Sequence, residues 1–120
     1  MSSAVLSRDR RSRAPRVKVA GSVRLQLAAF EELLVAEAID VSETGMFIAG
    51  DEVTLASVGE IVGVHFEVDE ELAIETVARV ARVIPPGGRY ASGIGVEFVR
   101  MQHDMEERLG RFVDGRLARS

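Results

Sequence analysis

Beyond the first fifteen residues, apolar and polar positions mostly alternate with a period of two, the pattern of strands that bury one face. "VRLQLAAF" predicts a strand over about residues 22–30, and "EELLVAEAIDV" a second over about 33–41. "GMFIAG" predicts a short third strand ending at Gly50-Asp51. In "GEIVGVHFEVD", Ile61, Val64, Phe66 and Val68 are candidates for a buried face, and Gly63 is a candidate bulge or bend. "LAIETVARVARVI" is the longest strand candidate, although Val77, Val80 and Val83 lie three apart, a spacing a helix would also produce. Its β-branched residues and the "PPGG" turn that follows favour strand. "ASGIGVEFV" supplies the sixth, with Ile94, Val96 and Phe98 on one side.

The tail changes period. Met105, Leu109, Phe112, Val113 and Leu117 recur at helical spacing, predicting an amphipathic helix over about 104–118. Asp104 is its candidate N-cap, and basic residues crowd its last turn. Gly110 and Gly115 each weaken such a helix by roughly 1 kcal/mol relative to Ala, so tertiary contacts must supply the difference. Six strands with short connections predict an all-β fold with a terminal helix. The expected architecture is a small antiparallel β-barrel, because closure removes exposed edges, with the helix packed against it.

Composition narrows the class. A chain of 120 residues with 47% apolar residues is sufficient for one core-forming domain. There is no cysteine, so disulfides and thiolate metal sites are excluded. No apolar run reaches the ~20 residues of a membrane helix, and the N-terminus lacks the apolar core of a secretory signal. A cytoplasmic location is the expectation.

The net charge of −4 conceals an asymmetry. Residues 1–20 carry +5, mostly from Arg8, Arg10, Arg11, Arg13, Arg16 and Lys18, whereas residues 21–120 carry −9. Residues 1–15 are Ser- and Arg-rich with few apolar anchors, and read as a flexible arm ahead of a domain over 16–120. A basic arm on an acidic body argues against broad nucleic-acid binding, because the body repels the phosphates that the arm attracts. The arm has no aromatic residue to stack on bases and no bulky apolar face for membrane insertion. Three readings of the arginines stay open: a solvated tail, a clamp for one compact anion, and nonspecific attraction to polyanions.

Catalytic and metal chemistry find little support. His65 and His103 are the only histidines and form no HxxxH or HxxH pair. Asp69-Glu70-Glu71 reads as a solvated hairpin turn, since the spacing of a calcium loop is missing. No nucleophile–base constellation or phosphate-binding P-loop is present, so neither an enzyme nor a cofactor is expected.

The most informative stretch is "DVSETG", Asp40 to Gly45, between two strands. Asp40 and Ser42 can each bond nearby backbone amides and set a tight turn. Gly45 allows a backbone conformation that side chains resist, or lets a ligand approach the main chain. The order of features along the chain adds to this: an Arg-rich arm running into "PRVKVAGSVRL", a strand, D-x-S-x-x-G, a "GIGVEF" strand and a terminal helix. From about residue 11 onward this resembles the PilZ domain. The resemblance implies a six-stranded split β-barrel, no catalysis, and a role as receptor for the second messenger cyclic di-GMP.

The family's ligand signature joins R-x-x-x-R in the arm to [DN]-x-S-x-x-G on the barrel. The resemblance therefore assigns ligand contacts to Asp40, Ser42 and Gly45, where the second half is complete, and to Arg16 in the first. The other arm arginine should stand at residue 12, which is Ser; Arg11 and Arg13 are its possible substitutes. A guanidinium fork suits the O6/N7 edge of guanine or a pair of phosphate oxygens. Losing one such contact costs about 1–3 kcal/mol, or about 5- to 150-fold in affinity. Weakened cyclic di-GMP binding is the expectation, with action through a partner protein in motility or surface behaviour. The alternative is a PilZ-like adaptor that binds a protein without nucleotide, as in family members associated with type IV pili.

Overall fold

The computed structural model describes residues 14–68 and 70–119. Six strands, β1 (Val17–Gln26), β2 (Leu34–Val41), β3 (Gly45–Ala49), β4 (Ile61–Val68), β5 (Leu72–Ile84) and β6 (Gly93–Arg100), precede one helix, α1 (His103–Arg119). All strand pairs are antiparallel, and the order β1-β2-β3-β6-β5-β4 closes into a barrel because β1 pairs with both β2 and β4. The expected six-stranded antiparallel barrel with a terminal helix is therefore the observed fold. A one-turn 3-10 helix at Glu52–Leu55, which the pattern does not announce, buries Val53.

Alternation explains the interior. Val23 and Leu25 from β1, Met46 and Ile48 from β3, Phe66 from β4, Ile74 from β5 and Ile94 from β6 are fully buried and make one core. Burying such a side chain contributes about 1.5–3 kcal/mol, which is what draws the strands into a closed sheet. The helix adds Leu109 and Val113 to this core, with Met105 and Phe112 partly buried beside them. Arg116 braces α1 against the sheet. It donates to the Lys18 carbonyl at 3.4 Å, pairs with Glu71 at 3.3 Å, and lies 4.6 Å from the Phe112 ring centroid. The helix runs through Gly110 and Gly115 because these contacts, rather than intrinsic propensity, hold it.

Several boundaries differ from expectation. The first strand begins at Val17 rather than near residue 22, because the alternation runs back through Gly21 and Val19 to the buried Val17, with a register shift against β2 between Lys18 and Gly21. It ends at Gln26 because the chain turns at Leu27, whose carbonyl accepts from the Phe30 amide at 3.2 Å. Ile61 is 52% exposed, and the inward set of β4 is Val62, Val64, Phe66 and Val68. Its parity, opposite to that of the other three, puts Ile61 on the outer face. Gly63 is no bulge: it pairs in regular register with Gln26 and Val77. Helix α1 starts at His103, so Asp104 lies in the first turn instead of capping it, and pairs with Arg108 at 3.4 Å.

The three-residue spacing in β5 has a concrete cause. Val77 is exposed and Val80 buried, so these two lie on opposite faces of a regularly alternating strand; the extra residue Ala81, between the Val80–Val96 and Arg82–Gly95 pairs, then puts Val83 against the core as well. That single extra residue displaces the alternation by one, whereas the register shift between Val77 and Ala78 comes from Val99 of β6.

Candidate functional site

Asp40 and Arg82 owe their direction to bulges. Along β2, Ala38 is buried, and strict alternation would turn Asp40 inward as well. The extra residue Ile39, between the Ala38–Ile48 and Asp40–Phe47 pairs, leaves Asp40 on the outside. Along β5, Val80 is buried and the extra residue Ala81 turns Arg82 outward in the same way. Pairing then runs Lys18–Asp40–Phe47–Gly95–Arg82 across β1, β2, β3, β6 and β5 as one row on the outer face.

Arg16, immediately before β1, reaches this row. Its Nη1 donates to the Asp40 carboxylate at 2.6 Å, with 47% and 27% of the two side chains exposed. Pairs this exposed contribute about 0–1 kcal/mol, so the contact holds the guanidinium at the barrel without locking it there. Asp40 thus bonds Arg16, and the turn is set by Ser42 alone of the two side chains.

The Ser42 side chain is only 1% exposed, and its Oγ accepts from the amides of Thr44 at 3.1 Å and Gly45 at 3.2 Å. The Ser42 amide in turn donates to the Gly45 carbonyl at 2.8 Å. These bonds satisfy the turn's buried polar groups and fix how β2 passes into β3. Gly45 does not owe its identity to a positive φ. A Cβ there would stand 2.1 Å from the Val96 carbonyl oxygen, so the neighbouring strand β6 occupies the space. Gly93 is similarly crowded, with a Cβ position 2.2 Å from the Ile48 carbonyl oxygen.

Of the arginines assigned from the sequence, Arg11 and Arg13 lie outside the described residues, as does Ser12. Arg16, Asp40, Ser42 and Gly45 are brought together at the join of β1, β2 and β3. Sequence reading missed Phe47 and Arg82. Phe47 is 9% exposed but stands apart from the core cluster; it lies on the outer face with the Arg82 guanidinium 5.8 Å from its ring centroid. The signal was the broken alternation in "VARVARV", which marks the bulge.

A second outer feature lies on other strands. A depression of about 510 Å3 is lined by Arg24, Gln26, Leu33, Gly63, His65 and Glu75 on and beside β1, β4 and β5, and shares no residue with the Asp40 row. Nearby, His65 hydrogen-bonds Glu67 at 2.9 Å and holds that carboxyl below its ordinary value of 4.5. Among the described residues, no group of three or more His, Cys, Asp or Glu side chains could hold a metal ion. No helix among them is long and apolar enough to cross a membrane.

Comparison with known proteins agrees with this geometry. The family model of the PilZ domain matches residues 9–115. No curated protein matches the sequence significantly. Among solved structures, the Bacillus subtilis inhibitor of motility MotI/DgrA superposes with a TM-score of 0.76 at 18% identity, over 89% of this chain and 51% of that one. MrkH, described as a c-di-GMP-dependent transcription regulatory factor, gives 0.72 at 15% identity, over 90% of this chain and 52% of its own. This chain thus spans about half the length of these two proteins. The PilZ domain of Escherichia coli YcgR with c-di-GMP gives 0.69 at 12% identity, over 89% of this chain and 92% of that domain. At these identities the likeness shows the shared barrel, and the family match carries the assignment. The chain belongs to the PilZ family, receptor and adaptor domains of cyclic di-GMP signalling that are not known as enzymes.

Proposed function

We propose that this protein is a cyclic di-GMP receptor of reduced affinity that acts by presenting a ligand-dependent surface to a partner protein. The observation that carries the reading is the 2.6 Å contact between Arg16 and Asp40, one residue from each half of the ligand signature. A guanidinium beside a carboxylate on an open face offers donors to phosphate or to the guanine O6/N7 edge, and an acceptor to the guanine N–H groups. Ser42 and Gly45 support the site through the turn they shape. Arg11 or Arg13 completes the arm's contribution in place of Ser12, and ligand holds residues 1–15 against the barrel. That ordering is the differential interaction a switch needs. The partner belongs to a pathway of motility or surface behaviour in the cytoplasm.

Ser12 favours a second reading, in which the barrel is an adaptor that engages its partner without nucleotide. Calorimetric titration of cyclic di-GMP into the wild type, Ser12→Arg and Arg16→Ala separates the two. Micromolar binding by the wild type, tightened by Ser12→Arg and weakened by Arg16→Ala, is the expected result. No heat from the wild type at high micromolar ligand overturns the receptor reading, and a partner retained equally with and without ligand supports the adaptor.

A further inference from the structure

We infer that Arg82 adds, from the barrel wall, a further guanidinium that contacts the cyclic dinucleotide beside Arg16 and Asp40, and that with Arg11 or Arg13 it offsets the arginine missing from the arm at residue 12. The inference rests on the receptor reading above and adds to it a residue outside the ligand signature.

Three independent features aim this side chain at the site. The bulge at Ala81 turns Arg82 to the outer face, where strict alternation from the buried Val80 would have pointed it into the core. Gly95, its partner on β6, leaves a trough. The Arg82 Cγ and Nε lie only 3.1 Å from where a Gly95 Cβ would be, so any side chain there would displace the arginine stem. Phe47 provides the far support: the guanidinium carbon is 5.8 Å from its ring centroid, although Phe47 stands on β3, two strands away from β5. The arginine therefore lies across β6 toward β3, and the next strand in the row is β2 with Asp40.

The charge is also available. Among the described residues, no carboxylate pairs with Arg82, whereas Arg16 and Arg116 each have one. A guanidinium held over an aromatic ring gives up little conformational freedom on meeting a ligand, and its fork still matches a phosphate or a guanine edge. Packing over Phe47 alone would explain the burial of the ring but requires no charge. A neutral side chain of similar length would serve that purpose equally well, and this difference is the basis of the test.

The full chain is titrated with cyclic di-GMP as wild type, Arg82→Met, Arg82→Ala and the double variant Arg82→Met with Ser12→Arg, with thermal unfolding followed for each. Arg82→Met keeps a cover on Phe47 and is expected to melt near the wild type while binding about 5- to 150-fold more weakly. Adding Ser12→Arg is expected to recover most of that loss, since it restores a guanidinium from the arm. Wild-type binding with Arg82→Met and Arg82→Ala both within twofold of it would overturn the inference and leave the receptor reading standing. An absence of wild-type binding would overturn both. A loss in Arg82→Ala alone, matched by a lower melting temperature, would reduce Arg82 to a structural cover for Phe47.

Discussion

Arg16 and Asp40 meet at 2.6 Å because the residue ahead of β1 is brought beside the end of β2, where Lys18 pairs with Asp40. The contact is exposed, so it orients the guanidinium more than it stabilises the fold. Asp40→Ala is expected to change unfolding free energy by no more than about 1 kcal/mol. Cyclic di-GMP affinity should nevertheless fall by about 5- to 150-fold. Chemical denaturation and calorimetry on the same preparation check the two halves; a large stability loss would show that the pair is structural.

Ser42 should behave in the opposite way. Its buried hydroxyl accepts from two amides of the turn, and Ser42→Ala leaves them without that partner. A loss of about 1–3 kcal/mol is expected in urea unfolding. The ordering Ser42→Ala well below Asp40→Ala in stability distinguishes the turn-forming residue from the face-lining one.

Gly45→Ala places a methyl group 2.1 Å from the Val96 carbonyl oxygen, and Gly93→Ala one 2.2 Å from that of Ile48. Both obstacles are main chain, so β3 and β6 must separate locally. Each variant is expected to lose at least about 1–3 kcal/mol, read as a lower denaturation midpoint. Gly87→Ala faces no nearby atom, but its φ of 94° penalises any side chain, so a smaller loss of about 1 kcal/mol is expected.

Removing the helix's anchor tests whether α1 depends on the barrel. Leu109 is 1% exposed and belongs to the common core. Leu109→Ala is expected to destabilise by about 2–5 kcal/mol. Hydrogen exchange should show α1 amides losing protection first, because Gly110 and Gly115 leave the helix little stability of its own.

Glu67 gives a pH-dependent signature. Its hydrogen bond with His65 favours the carboxylate, so side-chain carbon chemical shifts should titrate below 4.5, and His65→Ala should move the midpoint upward. The sign follows from linkage: a carboxyl depressed in the folded state stabilises above its unfolded value, and loses that contribution as pH falls through the folded value. At this surface position the contribution to global stability is small, and the chemical shift is the sensitive measurement.

Much of the fold was legible because strand and helix periodicity are local properties. "GEIVGVHFEVD" announces β4, and the stripe from Met105 to Val113 announces α1, whatever they pack against. The D-x-S-x-x-G turn was legible for the same reason, since Ser42 bonds only to residues within three positions of itself.

Direction and close approach were decided in three dimensions. Whether Asp40 and Arg82 face the core or the solvent depends on single extra residues at Ile39 and Ala81, and a bulge is defined only against the partner strand. Gly45 reads as a turn glycine in the sequence, yet the Val96 carbonyl from a strand fifty residues onward is what excludes a side chain. Composition, strand count and the signature's spacing belong to the sequence. The face on which Arg16, Asp40, Phe47 and Arg82 come together belongs to the closed barrel, because only cross-strand register determines which side of a sheet a residue occupies.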